Sequence, residues 1–356
     1  MRPSTSIVPS KVLITQLSPV RDILLALPLA VDIKRLWPTA NVSWLIECDC
    51  QGLLERHPCV DEVIRIDRGW LRRPSGWKKM RQQIRQRQFD VVFDPQGLTK
   101  SALLGKISGA STRVGFDSSR GRELAPWLAT RRIHATARHQ VDVIRQLLSP
   151  WNEVVPGAGD FAMPKLSELH EKVDRILQSS AVSPIFPWFA IHAGAVWPTS
   201  VWPAERLGQV ARHLFEEHNL RSFVLWLSED ERLHANVVAE ASQGAARMVD
   251  CDDLPTAMEL LRRPIFLLSG DSEMLQLASA VKTPCLSLHG PTWADEIGPY
   301  NNAGCSIQSP LPNLTKRMVR RGPNTAMQAI ELEEVLYHAQ RLVARLLGQS
   351  AHAPAA

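Results

Sequence analysis

Five polar segments of this chain place chemically capable side chains between an apolar β-type run and a helical one. The first, Gln16-Leu17-Ser18-Pro19-Val20-Arg21-Asp22, puts a carboxylate at the start of a helix. Asp22 there can satisfy free N–H groups and the helix dipole, or act as a general base. In the second, Asp94-Pro95-Gln96-Gly97-Leu98-Thr99-Lys100-Ser101, Gly97 permits close backbone approach, and Asp94 and Gln96 can bind sugar hydroxyls. The third runs His192-Ala193-Gly194-Ala195-Val196-Trp197-Pro198-Thr199-Ser200-Val201-Trp202-Pro203. Gly194 and Ala195 leave room for a diphosphate against exposed amides. The fourth, Ser269-Gly270-Asp271-Ser272-Glu273, is another anion-binding geometry, although Glu273 repels phosphate. His289-Gly290-Pro291-Thr292 closes the set. Each segment alone is a common strand-to-helix turn; their joint order is specific.

The elements that position these segments alternate along the chain, which is the signature of parallel sheets wrapped by helices. Strands are expected at Val12–Leu17, Val42–Glu47, Val63–Ile66, Val91–Asp94 and Thr112–Gly115, with helices at Asp22–Leu36, Trp77–Gln88 and Lys100–Ile107. Residues 149–165, rich in Pro and Gly and without periodicity, read as the connection between domains. The pattern then restarts with a helix at Leu166–Leu177 and a strand at Trp188–His192. Further strands follow at Ser222–Leu227, Ile265–Ser269 and Cys285–His289, with helices opening at Pro203, Asp230, Pro255 and Ser272. Ala326–Leu347 has the spacing of one long helix. The expectation is an α/β chain with domains at 11–155 and 160–325, a helix at 326–348, and tails at 1–10 and 349–356. Ligand belongs at the carboxyl ends of the strands, in the cleft between domains.

Composition narrows the function classes. With 45% apolar and 22% charged residues over 356 positions, the chain is globular and long enough for two cores. The longest early apolar run, Ile23–Val31, is too short to span a bilayer, and residues 1–10 do not form a secretory signal, so a cytoplasmic location is expected. The six cysteines lack metal spacing and read as buried reduced thiols. Between Arg65 and Arg87 lie nine basic residues, Arg72 and Arg73 among them, against one acid, Asp67. That cluster calls for an anionic partner or is a solvated helix face. No GxGxxG follows the first strand, which argues against a dinucleotide oxidoreductase. No aromatics interleave with the basic helix, which argues against nucleic acid.

Taken together, the segments resemble the lipopolysaccharide heptosyltransferases of glycosyltransferase family 9, over about residues 11–310. The features that carry the resemblance are Asp22 followed by Ala26-Leu27-Pro28-Leu29-Ala30, the segment Asp94 to Ser101, and Gly115-Phe116-Asp117 through Arg122-Glu123. His139 within a helix, the paired Trp-Pro steps, Asp271 and Gly290-Pro291-Thr292 complete the set. The Asp-x-Gln-Gly-Leu-x-Lys-Ser form points to the heptosyltransferase I branch. The resemblance implies a GT-B fold: two Rossmann-like doubly wound domains facing across a cleft, with acceptor on the first and nucleotide-sugar on the second. It implies inverting, metal-independent transfer of a heptose, with no cofactor beyond a donor such as ADP-heptose. The acceptor implied is the Kdo sugar of an anionic glycolipid, with peripheral contact at the inner membrane face.

Residue by residue, the resemblance makes Asp22 the catalytic base. It assigns acceptor contacts to Asp94, Gln96, Gly97, Lys100, Arg122 and Glu123, with Arg72 and Arg73 added from the basic cluster. Donor contacts fall to His192, Gly194, Ala195, Ser200, Glu231, Asp271, Ser272, Gln276, Gly290, Pro291 and Thr292. Several positions depart from the family pattern. Arg21 stands where a glycine is expected and sets a cation beside the base. Ser200 replaces a phosphate-binding lysine, for which Arg21 is a candidate substitute from the other lobe. Glu273 replaces a glycine, Gln276 a histidine and Leu227 a glycine. Two readings follow: an active transferase with an altered donor pocket, or a silent relative that binds glycolipid or assists a partner transferase.

Overall fold

Strand β1 (Lys11–Thr15) is buried at four of its five positions, and the chain leaves it into α1 (Val20–Leu36). In this computed structural model, residues 8–47, 50, 52–67, 69–70, 74–179, 186–311 and 322–348 are described. The chain divides into two compact units, Met1–Pro164 and Lys165–Ala356.

The first unit continues with β2 (Asn41–Ile46), β3 (Glu62–Arg65), α2 (Pro74–Arg85), β4 (Val91–Phe93) and α3 (Thr99–Ser108). It ends with β5 (Thr112–Phe116), α4 (Ala125–Leu128), β6 (Arg131–Ile133) and α5 (Gln140–Arg145). All pairings are parallel, in the order β3-β2-β1-β4-β5-β6. That order reverses direction between β1 and β4, and doubly wound sheets bind ligands at such a switch point, outside the strand carboxyl ends. Helix α1 is apolar on most of its surface because it is buried from Ile23 to Val31. It packs against α5, where the buried Arg145 guanidinium bridges Asp32 at 2.7 Å and Asp142 at 2.9 Å. Helices α2, α3 and α4 pack side by side in turn.

The second unit repeats the plan. It runs α6 (His170–Ser179), β7 (Trp188–His192), α7 (Ala204–His218), β8 (Arg221–Trp226), α8 (Glu229–Ala241) and β9 (Ala246–Asp250). Then come α9 (Leu254–Leu261), β10 (Leu267–Gly270), α10 (Glu273–Ala280), β11 (Cys285–His289), α11 (Ala294–Ile297) and β12 (Cys305–Gln308). The chain closes with α12 (Thr325–Gln328) and α13 (Leu332–Leu346). Its order, β12-β11-β10-β7-β8-β9, is again parallel with the switch point between β7 and β10. The core joins Phe189, Ile191, Val224, Phe266 and Leu286 of the sheet to Val335, Leu342 and Val343 of α13.

Several expectations are corrected. The strand pattern omitted β6, β9 and β12, all at or next to a sheet edge. The expected connection, residues 149–165, spans the boundary between the two units, and it packs on the first: Trp151 lies edge-on to Trp37 and Phe93, and the Phe161 carbonyl meets the His57 ring at 2.8 Å. The single helix over Ala326–Leu347 is two, because Trp202 Nε1 and Arg206 Nη1 draw off the Ile330 carbonyl at 3.1 and 2.7 Å. His139 is not inside a helix; it caps α5, its ring accepting from Val141 N–H. Cys59 and Cys305 are only half-buried, whereas Cys50, Cys251 and Cys285 are buried; Cys48 lies outside the described residues.

Candidate functional site

Each switch point gathers the polar segments singled out in the sequence, and each is laced by hydrogen bonds across the two central strands. In the first unit, Gln96 from the loop after β4 accepts from Leu17 N–H after β1 at 3.0 Å. In the second, the His192 ring at the end of β7 meets the Ser272 hydroxyl after β10 at 3.2 Å. There, too, Val196 N–H donates to the Asp271 carbonyl at 3.1 Å.

Asp22 occupies the first turn of α1, its N–H donating to the Pro19 carbonyl at 3.0 Å. Its side chain remains one-third exposed. Arg21 folds directly onto it, Nη2 at 2.8 Å and Nε at 3.0 Å from the same oxygen, Oδ1. The proposed substitute for the missing lysine is therefore engaged within its own unit.

Asp94 is turned inward rather than outward. It is 5% exposed, and its carboxylate accepts from Gly97 N–H at 3.1 Å, which shapes the turn in which Gly97 takes φ +61°. Burial drives its pKa from 3.8 up to about 7, against the opposing pull of bonds from Ser101, Gly97, Gln96 and Thr15. Its part is to hold the turn. That turn meets the loop carrying Arg122 and Glu123: Arg122 N–H donates to the Gly97 carbonyl at 2.8 Å, and Leu124 N–H to Thr99 Oγ1 at 3.1 Å. The Arg122 and Glu123 side chains are exposed. Lys100 is bound by Glu47 at 2.5 Å, and the other Glu47 oxygen accepts from Trp70 Nε1 at 2.9 Å. Trp70 stacks on Trp77 at 5.5 Å and lines a groove of about 700 Å³ with Arg65, Asp67, Gly76 and Lys79. Arg72 and Arg73 lie outside the described residues.

In the second unit, Glu231 accepts from Leu227 N–H at 2.8 Å and stands 3.3 Å from His192 Nε2. Burial pushes the Glu231 carboxyl up, but His192 and the Leu227 and Ser228 N–H groups outweigh it and hold the pKa at about 2. Gly194 makes this approach possible: a Cβ there would lie 2.7 Å from Glu231 Oε1 and 2.8 Å from the His192 ring. Ala195 follows, half-buried. Ser272 is a capping residue whose hydroxyl takes Leu275 N–H at 3.1 Å and meets Ser269 Oγ at 2.9 Å. With His192 also on it, that hydroxyl is committed to the fold. Asp271 is fully buried. Gln276, also fully buried, donates to the Ile297 carbonyl at 2.6 Å. Glu273 sits half-buried at the first position of α10, where its charge faces the helix N-terminus.

The loop Gly290-Pro291-Thr292 is held from two sides. Gly290 packs on α12, where a Cβ would come within 2.6 Å of Met327 Sδ. Gln308, on β12, donates to the carbonyls of His289, Gly290 and Thr292 at 3.0, 3.3 and 3.2 Å and accepts from Ala294 N–H at 3.0 Å. No sequence motif contains Gln308 or Glu47; Glu47 alone had a clue, since it directly follows a strand.

Among the buried side-chain atoms around the ends of β7, β10 and β11 that have no hydrogen-bond partner among the described residues are Ser200 Oγ, Gln276 Oε1, Thr292 Oγ1 and Asn324 Oδ1. Buried polar atoms are ordinarily paired, so this concentration marks a place where a polar ligand completes the bonding. Among the described residues no group of three or more His, Cys, Asp or Glu could hold a metal ion, and no helix is long and apolar enough to cross a membrane.

Residues 77–322 match the family model described as glycosyltransferase family 9 (heptosyltransferase). The lipopolysaccharide heptosyltransferase 1 of Pseudomonas aeruginosa is 28% identical over 312 residues, covering 85% of this chain and 84% of that protein. Its Salmonella typhimurium namesake is 29% identical over 322 residues, covering 85% and 96%. Among solved structures, a glycosyl transferase family 9 protein of Veillonella parvula superposes with a TM-score of 0.81 at 19% identity, over 97% of this chain and 100% of that one. The E. coli heptosyltransferase WaaC, solved with ADP, gives 0.73 at 21% identity, over 93% and 99%.

Proposed function

We infer the reaction from the premise that this chain belongs to glycosyltransferase family 9, the heptosyltransferase family. Its architecture is GT-B, two Rossmann-like doubly wound domains in series. The proposed reaction moves a heptose from ADP-heptose to the Kdo or inner-core sugar of a lipopolysaccharide-type glycolipid, with inversion and without a metal. The unpartnered buried atoms around β7, β10 and β11 are the observation that carries it. They lie where a doubly wound sheet takes a nucleotide, and the relative solved with ADP supports an adenine nucleotide.

In this reading the first unit binds the acceptor. Exposed Arg122 meets its acidic groups and exposed Glu123 accepts from its hydroxyls, and Lys79 in the groove beside Trp70 meets its negative charge. Asp22 takes the proton of the attacking hydroxyl as that oxygen bonds to the anomeric carbon, and the carbon–oxygen bond to the diphosphate breaks on the opposite face. Oδ1 is fixed by Arg21, so Oδ2 is the oxygen left to receive the proton. The departing diphosphate is met by amides around Gly194 and the N-terminus of α10. Glu231, kept ionised, is the acceptor for a ribose hydroxyl.

Two observations favour a second reading, a chain that binds nucleotide-sugar or glycolipid without turnover: the Arg21 grip on Asp22, and Glu273 at the head of α10. Thermal-shift titration with ADP, ADP-sugar, UDP-sugar and GDP-sugar separates these readings from a chain with no donor site. Stabilisation by the adenine ligands alone is the expected result. If no nucleotide stabilises the protein, the transferase reading falls.

A further inference from the structure

A recess in the second unit lies at the amino end of β12, the opposite pole of the sheet from the strand carboxyl ends. It measures about 510 Å³, the size of a small-molecule pocket, and Gly304, Cys305, His338, Arg341, Leu342 and Arg345 line it. Gly304 lies so close to the backbone of Cys285, the first residue of β11, that no side chain fits there. His338, Arg341 and Arg345 stand three and four positions apart on α13 and so share one face of it. Cys305 Sγ is 3.4 Å from His338 Nδ1. Burial pushes the Cys305 thiol up, against the pull of the Arg345 and Arg341 charges, so the thiol keeps its proton and donates it to Nδ1. The other ring nitrogen, Nε2, is then an N–H donor. Arg341 uses one N–H on the Tyr337 hydroxyl at 2.8 Å, and Arg345 uses one on the Ala303 carbonyl. Neither guanidinium has an ion-pair partner among the described residues.

This face is basic within an acidic half: residues 165–356 hold 17 Lys and Arg against 21 Asp and Glu. The acids of α13, Glu333 and Glu334, sit in its first turn, and the Glu334 charge reaches Cys305 more weakly than the two arginines do. A helix C-terminus favours cations, which accounts for Arg345 in the last turn but not for Arg341 or His338 before it. That helix end also carries only about half a negative charge, against two guanidinium charges, so the recess stays attractive to an anion. We propose that it binds a small phosphorylated metabolite, the phosphate held by Arg341, Arg345 and His338 Nε2 and the remainder lying over Leu342 and Ala344. Guanidinium forks match phosphate oxygens in geometry as well as charge. The site stands apart from the segments after β7, β10 and β11, so it does not rest on the proposed function and either can fail alone.

Cys305 is the natural reporter. The full chain is alkylated with N-ethylmaleimide, a neutral reagent, and each cysteine is followed by peptide mass spectrometry, with half-buried Cys59 as the internal standard. Inorganic phosphate or ribose 5-phosphate at ten times its Kd should slow labelling of Cys305 by about tenfold and leave Cys59 unchanged. Ribose, or sodium chloride at equal ionic strength, should leave both unchanged. R341Q and R345Q should each move the protection to about tenfold higher ligand concentration. Both replace exposed side chains, and unchanged melting temperatures confirm that the variants fold. Absence of protection by either phosphate compound would overturn the proposal. So would equal protection by ribose or chloride, equal slowing of Cys59, or protection undiminished in the R341Q/R345Q double variant.

Discussion

Replacing Asp94 by asparagine should flatten a rise in stability that the wild-type protein shows as the pH falls from 8 to 6. The carboxyl is buried beneath the turn it shapes, and desolvation moves its pKa from 3.8 to about 7. A carboxyl raised on folding contributes stability that is complete below pH 3.8 and lost as the pH climbs through 7. For a single group shifted this far, linkage gives a gain of about 1.4 kcal/mol between pH 8 and 6, and about 2.7 kcal/mol by pH 5. For a unit of this size that is a rise of roughly 3–5 °C in melting temperature over the first interval. His57 acts in the opposite sense: burial lowers its pKa, so its contribution fades as the pH drops below 6.5. The difference between wild type and Asp94→Asn cancels that term. Asparagine keeps the oxygen that accepts from Gly97 N–H but cannot titrate, so the variant should lack the Asp94 component. Urea denaturation at pH 5, 6, 7 and 8 measures it. Parallel curves for the two proteins would mean that the carboxyl ionises normally, and the inward-facing assignment would be wrong.

Gly194→Ala forces a methyl to within 2.7 Å of the Glu231 carboxylate and should weaken ADP binding by at least tenfold; unchanged calorimetric affinity would separate that glycine from the cradle. Glu273→Gly removes a carboxylate from the head of α10 and should tighten ADP by about tenfold, in line with a charge–dipole effect of 1–2 kcal/mol; equal affinity would show that the diphosphate lies elsewhere. Gln308→Ala frees three carbonyls of the loop at 289–292. It should raise the KM for donor while leaving that for acceptor alone, and a rise in both would indicate general loosening of the fold.

Much of this architecture is legible in the amino-acid order where burial is complete. Trp188–His192 and Cys285–His289 are apolar on both faces and bounded by turn residues, and they form strands over those residues. Arg131-Arg132-Ile133 looks like a polar loop because an edge strand has one unpaired side and needs little apolar character. The break after α12 escapes periodicity because tertiary hydrogen bonds to the Ile330 carbonyl, from Trp202 and Arg206 more than a hundred residues earlier, are what end that helix. At the site, strand-to-helix turns locate the right segments but not which way their side chains point. Asp94 and Ser272 have suitable chemistry for ligands, yet the fold uses their oxygens for its own N–H groups. Gln308 carries no motif because its partners are backbone carbonyls 16 to 19 positions away.

In the proposed transfer of heptose, Asp22 is the proton acceptor on which turnover depends. This is tested by incubating the protein and its Asp22→Asn variant with ADP-heptose and a Kdo-capped lipid A, and weighing the glycolipid by mass spectrometry. One added heptose with the wild type, and a rate lowered by about 10²–10⁴ in a variant that still binds ADP, is the predicted outcome. Equal product from both proteins would contradict it, as would no product from a wild type saturated with ADP-heptose.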